Sequence, residues 1–195
     1  MTNRLIIPEG YTPTLSTLEV QQSIKGIKDF FQQNLAKALN LQRVSAPLFV
    51  RTGSGINDDL NGVERPVRFA VKDDGDAPVE IVHSLAKWKR MALAKYGFAE
   101  GTGLYTDMNA VRPDEELDNT HSIYVDQWDW ERVLRPDERN LDMLKRIVRR
   151  IYSVLRQTEY HVASISPHIL PVLPDEITFV TSRQLQKDYP ELSPR

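Results

Sequence analysis

In the stretch HSIYVDQWDWERV, residues 121–133, a glutamine and an aspartate stand two apart, at 127 and 129, among aromatic and branched residues. An extended chain sends alternate side chains to opposite sides of a sheet. His121, Ile123, Val125, Gln127, Asp129 and Glu131 therefore share one side, and Ser122, Tyr124, Asp126, Trp128, Trp130 and Arg132 the other. The second set can plant Tyr124, Trp128 and Trp130 in a core, while the first turns from apolar to polar partway along. Inward-facing Gln127 and Asp129 would each carry a penalty of about 1–3 kcal/mol if left unpaired. An ammonium group on a ligand would satisfy them, and so would a network of side chains. Arg112 ends the preceding strand, and Glu115 follows in the connecting loop. An arginine in that place can clamp a phosphate, and a carboxylate beside it can accept from the exocyclic amine of adenine. In HSLAKWKRMAL, residues 83–93, the cations Lys87, Lys89 and Arg90 read locally as a solvated helix face. The other reading sends Lys89 into a cleft under the sheet, as a fixed positive charge for a carboxylate or phosphate. The strand pair on either side of residues 113–120 tips the balance toward it.

Other chemistries are absent from the sequence. It has no phosphate-binding GxxxxGK[ST] loop, no GxSxG elbow and no HExxH. The pairs Gly53/Gly55 and Gly101/Gly103 read as turn chemistry, and His161 and His168 as structural or exposed. With no cysteine there is no disulfide, thiolate zinc site or cysteine nucleophile, which fits a reducing cytoplasm. A formal charge of −2 gives no basic footprint for nucleic acid. The opening MTNRLIIPEGYTP lacks a signal peptide's apolar run, and no stretch approaches membrane-spanning length. A soluble, cytoplasmic protein is the expectation.

These residues need elements to position them. At 195 residues, 41% apolar and 27% charged, the chain suits one sizeable domain. Ser16 and Glu19 form a capping box, and Val20, Ile24, Ile27, Phe31, Leu35 and Leu39 recur at helical spacing, so 16–39 is an amphipathic helix. LQRVSAPLFVR is β-prone but carries Pro47, which argues for an edge or an interface. Residues 53–62 read as a loop, and VRFAV and VEIVHS as a hairpin turning at Asp74-Gly75. LAKWKRMALAKY is a short helix ending near Gly97. GLYTDMNAVR and HSIYVDQWDWERV are strands joined by 113–120. A long helix follows from about Pro136-Asp137 to about Val162. EITFVT reads as a strand, and Ser182 as the cap of a short helix. The class is α+β.

At VHSLAKWKR (82–90), GLYTDMNAVRPDE (103–115) and HSIYVDQWDWERV (121–133) the sequence resembles the ammonia-dependent asparagine synthetases, or aspartate–ammonia ligases. Weaker echoes are SGINDDLNG (54–62) and LPDEITFVTSRQL (173–185). The resemblance covers nearly the whole chain. It implies the antiparallel sheet and flanking helices of the class II aminoacyl-tRNA synthetases, without a tRNA-binding domain. The helix 16–39 with Pro47 resembles the class II dimer-forming motif, and 104–130 the motif that holds ATP. The implied reaction joins aspartate and ammonia through β-aspartyl-AMP, giving asparagine, AMP and pyrophosphate with Mg2+ present. Carried over by resemblance, Asp58, Lys89, Gln127 and Asp129 line the amino-acid pocket, Arg112 contacts the α-phosphate, and Glu115 lies at the adenine. Lys89 and Arg112 are the expected catalytic cations. A homodimer is implied, with no nucleic-acid or membrane partner.

One departure accompanies the resemblance. Family members continue past residue 195 into a glycine-rich third motif, whereas all nine glycines here lie at or before Gly103. The expectation is a partial class II domain over 1–195, as a fragment or a shortened paralogue, whose ligase activity needs the absent part. The alternative is a non-catalytic class II module that dimerises or binds an amino acid or nucleotide. Transfer-RNA charging is disfavoured by the acidic balance and the lack of an anticodon-binding region.

Overall fold

Residues Gly103–Val111 and Tyr124–Arg132 pair antiparallel over nine rungs, from Gly103↔Arg132 to Val111↔Tyr124, and this ladder organises the rest. The structure, a computed structural model, describes residues 4–58, 60–166 and 168–193. In chain order the described elements are α1 (Thr17–Leu39), β1 (Leu41–Arg43), β2 (Phe49–Arg51), β3 (Arg68–Val71), β4 (Ala77–Ile81), α2 (Ala86–Lys95), β5 (Gly103–Val111), β6 (Tyr124–Arg132), α3 (Leu141–Ile165) and α4 (Ser182–Asp188). One sheet has the order β1-β5-β6, with β1 parallel to β5, and the other is antiparallel, β2-β4-β3. Pro47 falls where the chain leaves the first sheet for the second, so the single β-prone run divides between two sheets. An α+β arrangement results.

The capping box closes in α1: Glu19 N donates to Ser16 Oγ at 3.3 Å and Ser16 N to Glu19 Oε2 at 2.7 Å. The helix ends at Asn40, whose φ of 58° is the left-handed turn that stops helices. Its C-terminal half packs with α3 on one face of the β1-β5-β6 sheet. Leu35, Leu39, Leu41, Met143, Ile147 and Val154 form that core, with Tyr105 and Trp130 against it. Phe31 stacks on Trp128 with ring centroids 4.7 Å apart, and His161 stacks on Phe30 at 4.2 Å, tying α3 to α1. Tyr124 departs from the expected core set. It is 57% exposed, and its hydroxyl donates to Asn109 Oδ1 at 2.7 Å. It stands on the last rung, beyond the Lys28–Asp126 ion pair that joins α1 to β6.

The opposite face of the ladder carries Leu104, Thr106, Met108 and Ala110, all buried, opposite Glu131, Asp129, Gln127 and Val125. Met108 and Ala110 pack with Val50, Val82 and Leu85, while Leu104 packs with Ala92 and Leu93 of α2. Gln127 and Asp129 therefore share a face with a helix and a second sheet.

Three expectations change. The long helix begins at Leu141, because Asn140 is extended and its Oδ1 takes the Met143 amide at 2.9 Å; Pro136–Glu138 forms a separate 3₁₀ turn. EITFVT forms no strand, since a strand needs a partner edge and the described residues offer this segment none. It lies along α3 instead, with Phe179 under the Lys145 and Arg149 cations at 5.5 and 5.2 Å and Tyr152 donating to the Pro174 carbonyl at 2.6 Å. Thr181, rather than Ser182, caps α4 by accepting from Gln184 N at 3.1 Å.

Gly103 is required for close approach and not for a turn. A Cβ there would stand 2.8 Å from Arg132 Cα and from Leu41 Cδ2, and nearer still to the Glu131 carbonyl oxygen. Gly103→Ala is expected to lower stability by about 1–3 kcal/mol through overpacking of the first rung, read from urea unfolding; an unchanged midpoint would mean that the three strands separate easily there.

Candidate functional site

Helix α2 presents Ala92 and Leu93 to the sheet, and Lys89 lies one turn earlier on the same face. That phase drives a lysine inward: Lys89 is 4% exposed. A buried ammonium needs a carboxylate and further acceptors. Lys89 Nζ donates to the Asp129 carboxylate and to the Trp130 carbonyl at 3.0 Å, with Glu131 Oε2 3.9 Å away. Ser84 Oγ accepts from Ala86 N at 3.2 Å and organises the start of the helix.

Arg112 continues the parity of Ala110 one residue beyond the ladder. Its amide donates to the Ile123 carbonyl at 2.8 Å, and its Nη2 to the His83 carbonyl at 3.4 Å. Its Nε is buried with no partner among the described residues. Roughly 20 Å of strand separates the Arg112 position from the Thr106–Asp129 rung, with Gln127 between them opposite Met108. Glu115 is half-buried in the turn after Arg112, its amide donating to the Arg112 carbonyl at 3.2 Å. Asp58 is half-buried in the 53–62 loop, and its carboxylate has no hydrogen-bond or ion-pair partner among the described residues. So Lys89 and Asp129 meet, Gln127 and Arg112 share their face, and Asp58 and Glu115 stand on loops.

The loop 113–120 is held at several points. Arg65 Nε donates to Asp114 Oδ1 at 2.9 Å, Arg4 pairs with Glu116 at 3.1 Å, and Asn119 exchanges two 2.8 Å bonds with the Ile6 backbone. Asp118 accepts from the Thr120 amide and from His121, which holds its carboxyl far below the usual range; in return Asp118 raises the pKa of His121.

Two residues here escaped sequence reading. His83, between β4 and α2, is 1% exposed, and its Nε2 has no partner among the described residues. Asn57 is also buried and bonds to Glu80, Ile81 and His83. His83 lies inside a quoted motif, but no spacing marks it. A cleft of about 560 Å³ lies elsewhere, between α3 and residues 175–177, lined by Arg149, Arg156 and Tyr160. It shares no residue with the α2 face. The buried charges, rather than cavity size, identify the candidate site. Among the described residues no three His, Asp or Glu side chains converge as a metal centre, and no helix is long and apolar enough to cross a membrane.

The buried pair can be tested by itself. Asp129→Leu leaves the Lys89 ammonium unpaired and is expected to cost roughly 3 kcal/mol, with much of that recovered in Asp129→Leu/Lys89→Met. Chemical denaturation of the four members of the cycle measures this; additive losses would mean the two charges do not meet.

Comparison with known proteins supplies the wider context. The family model of aspartate-ammonia ligase matches residues 18–195. The aspartate–ammonia ligase of Clostridium perfringens SM101 is 58% identical over 190 residues, 97% of this chain and 56% of that protein. That of Bacteroides fragilis is 56% identical over 191 residues, 98% of this chain and 55% of that protein. The chain thus spans about half the length of the curated relatives it matches. Among solved structures, Entamoeba histolytica asparaginyl-tRNA synthetase superposes with a TM-score of 0.57 at 14% identity, over 90% of this chain and 36% of that one. Its complex with asparaginyl-adenylate gives 0.56 at 12% identity, over 92% and 40%. Such low identities speak to the fold alone, which is that of the class II synthetases.

Proposed function

The chain belongs to the aspartate–ammonia ligase family, and from that footing we propose that its protein makes asparagine from aspartate and ammonia, with ATP cleaved to AMP and pyrophosphate. In the first step an oxygen of the aspartate β-carboxylate attacks the ATP α-phosphorus. The bond to the bridging oxygen breaks, pyrophosphate leaves, and β-aspartyl-AMP forms. In the second, the ammonia nitrogen attacks the activated carbonyl carbon, the C–O bond to AMP breaks, and a proton is lost from the nitrogen. Magnesium accompanies ATP as its complex, and no residue of this chain is assigned to it.

The observation that carries the reading is the buried Lys89–Asp129 pair on the face that also bears Gln127 and Arg112. Aspartate has a carboxylate for Lys89 and an ammonium for Asp129, with Gln127 and Asp58 completing its pocket. The substrate can replace each residue's partner with a charge of the same sign, so the pair opens without stranding either ion. Arg112 neutralises charge gathering on the α-phosphate, and Glu115 receives the adenine amine. The Arg112 Nε, buried without a partner among the described residues, supports an anion there. The structural neighbour solved with an adenylate supports nucleotide chemistry on this fold.

Two further statements belong to the proposal. The protein works as a homodimer through α1, whose first half leaves Leu18, Val20 and Ile24 exposed. It works in the cytoplasm, in keeping with a cysteine-free chain.

In aspartate-dependent ATP–pyrophosphate exchange by the intact gene product, Arg112→Ala is expected to lose about 100-fold in rate, as for removal of one charge-stabilising donor, with an unchanged melting temperature. Unchanged exchange would move the α-phosphate site away from Arg112.

A further inference from the structure

Of the six expected site residues, Asp58 is the one on the longest irregular segment. Among its described residues the 53–62 loop contains four backbone positions with positive φ: Gly53 at 74°, Gly55 at 72°, Leu60 at 50° and Gly62 at 82°. No strand ladder or helix holds Asp58 at a fixed distance from Lys89. Its neighbour Asn57, however, is 4% exposed and fully engaged. Asn57 Nδ2 donates to Glu80 Oε1 at 3.1 Å and to the Ile81 carbonyl at 3.4 Å, and its Oδ1 accepts from His83 N at 2.8 Å. Its own carbonyl accepts from Lys87 Nζ at 3.1 Å. Four bonds thus tie one loop residue to the end of β4, the turn before α2 and the first turn of α2. Glu80, itself buried, is held in turn by Arg68 Nε at 3.1 Å. The His83 carbonyl also receives Arg112 Nη2, so the same turn touches the residue assigned to the phosphate.

We infer that Asn57 is a positioning residue that sets aspartate affinity without touching aspartate, by clamping the Asp58 loop to the turn that launches α2. This rests on the reading of Asp58 as an aspartate-binding residue. An amide suits the place for a chemical reason. The His83 amide needs an acceptor, while Glu80 and Ile81 need donors, and an asparagine side chain offers both. An aspartate at 57 would set a second carboxylate against Glu80. An alanine would strand the His83 N–H and one Glu80 oxygen in a buried place. Lys87 adds an exposed tether from the other side, and its loss leaves the buried bonds intact. The clamp thus joins Lys87, two residues before Lys89 in α2, to His83, whose carbonyl receives Arg112. Because it bears on Asp58 directly and on Arg112 only through one long bond, its loss acts on aspartate more than on ATP.

The intact gene product is assayed by aspartate-dependent ATP–pyrophosphate exchange, alongside Asn57→Ala, Lys87→Met and Asp58→Ala. Asn57→Ala is expected to raise the aspartate KM about tenfold, the equivalent of one buried hydrogen-bonding group. The ATP KM and the rate at saturating aspartate should stay within about twofold. Lys87→Met, which cuts only the exposed tether, should raise the aspartate KM about threefold. An unchanged aspartate KM in Asn57→Ala overturns the inference, as does a parallel loss in both KM values and rate, the mark of a merely structural residue. If Asn57→Ala fails to fold, Lys87→Met decides, and an unchanged aspartate KM there overturns the inference. Asp58→Ala separates the two levels: no effect on the aspartate KM removes the Asp58 reading and the clamp together. A large effect in Asp58→Ala beside none in Asn57→Ala removes the clamp alone. A parent protein inactive in exchange removes both.

Discussion

A lysine ammonium enclosed between a helix and a sheet must find a carboxylate, and the arrangement around Lys89 follows from that requirement. Ala92 and Leu93 fix the phase of α2 on the sheet, and the same phase buries Lys89. Its charge is met from β6 by Asp129, with Glu131 close by and the Trp130 carbonyl completing the donor's bonds. The register of β5 on β6 therefore has an electrostatic anchor as well as an apolar one. A slip of one residue would turn Trp128 and Trp130 toward α2 and carry Asp129 into the α1–α3 core. Both outcomes are expensive, so the ion pair and the tryptophans together specify the ladder. The same register sets Gln127 beside Met108 and leaves Arg112 on the α2 face at the far end of β5.

A pair held this way is a poor choice if stability alone is wanted, because apolar residues of similar volume usually do as well or better. A substrate that carries both charges would give the pair a purpose, and this is the role proposed for it. Aspartate is such a molecule, and the family to which the chain belongs is defined by that substrate. Fold likeness contributes differently. At 14% identity the asparaginyl-tRNA synthetase shares the architecture, and the site must be argued from this chain's own side chains.

Much of the fold is legible in the sequence wherever its cause is local. The Ser16–Glu19 capping box, the Asp74-Gly75 turn and the alternation along 121–133 each announce an element through neighbours a few residues apart. Gln127 and Asp129 read as one face for the same reason. Where the cause is distant, the reading fails. EITFVT has a strand's composition but no described edge to join, and it follows α3 through Phe179 and Tyr152. Tyr124 has the parity of a core residue, yet it lies past the reach of α1. Asn57 looks like any loop asparagine, because its partners Glu80 and His83 lie 23 and 26 residues away. His83 is buried by packing that no spacing foretells. Lys89 falls between these cases: helical phase can carry it inward, but only the strand pair gives a reason for it to go.

In the proposed function aspartate replaces each partner within the Lys89–Asp129 pair. A crystal structure of the intact gene product soaked with aspartate tests this most directly. The expected result is a carboxylate of aspartate on Lys89 Nζ and the substrate ammonium against Asp129, with the direct bond between the two residues broken. Aspartate bound away from the α2 face, with Lys89 still joined to Asp129, would contradict it.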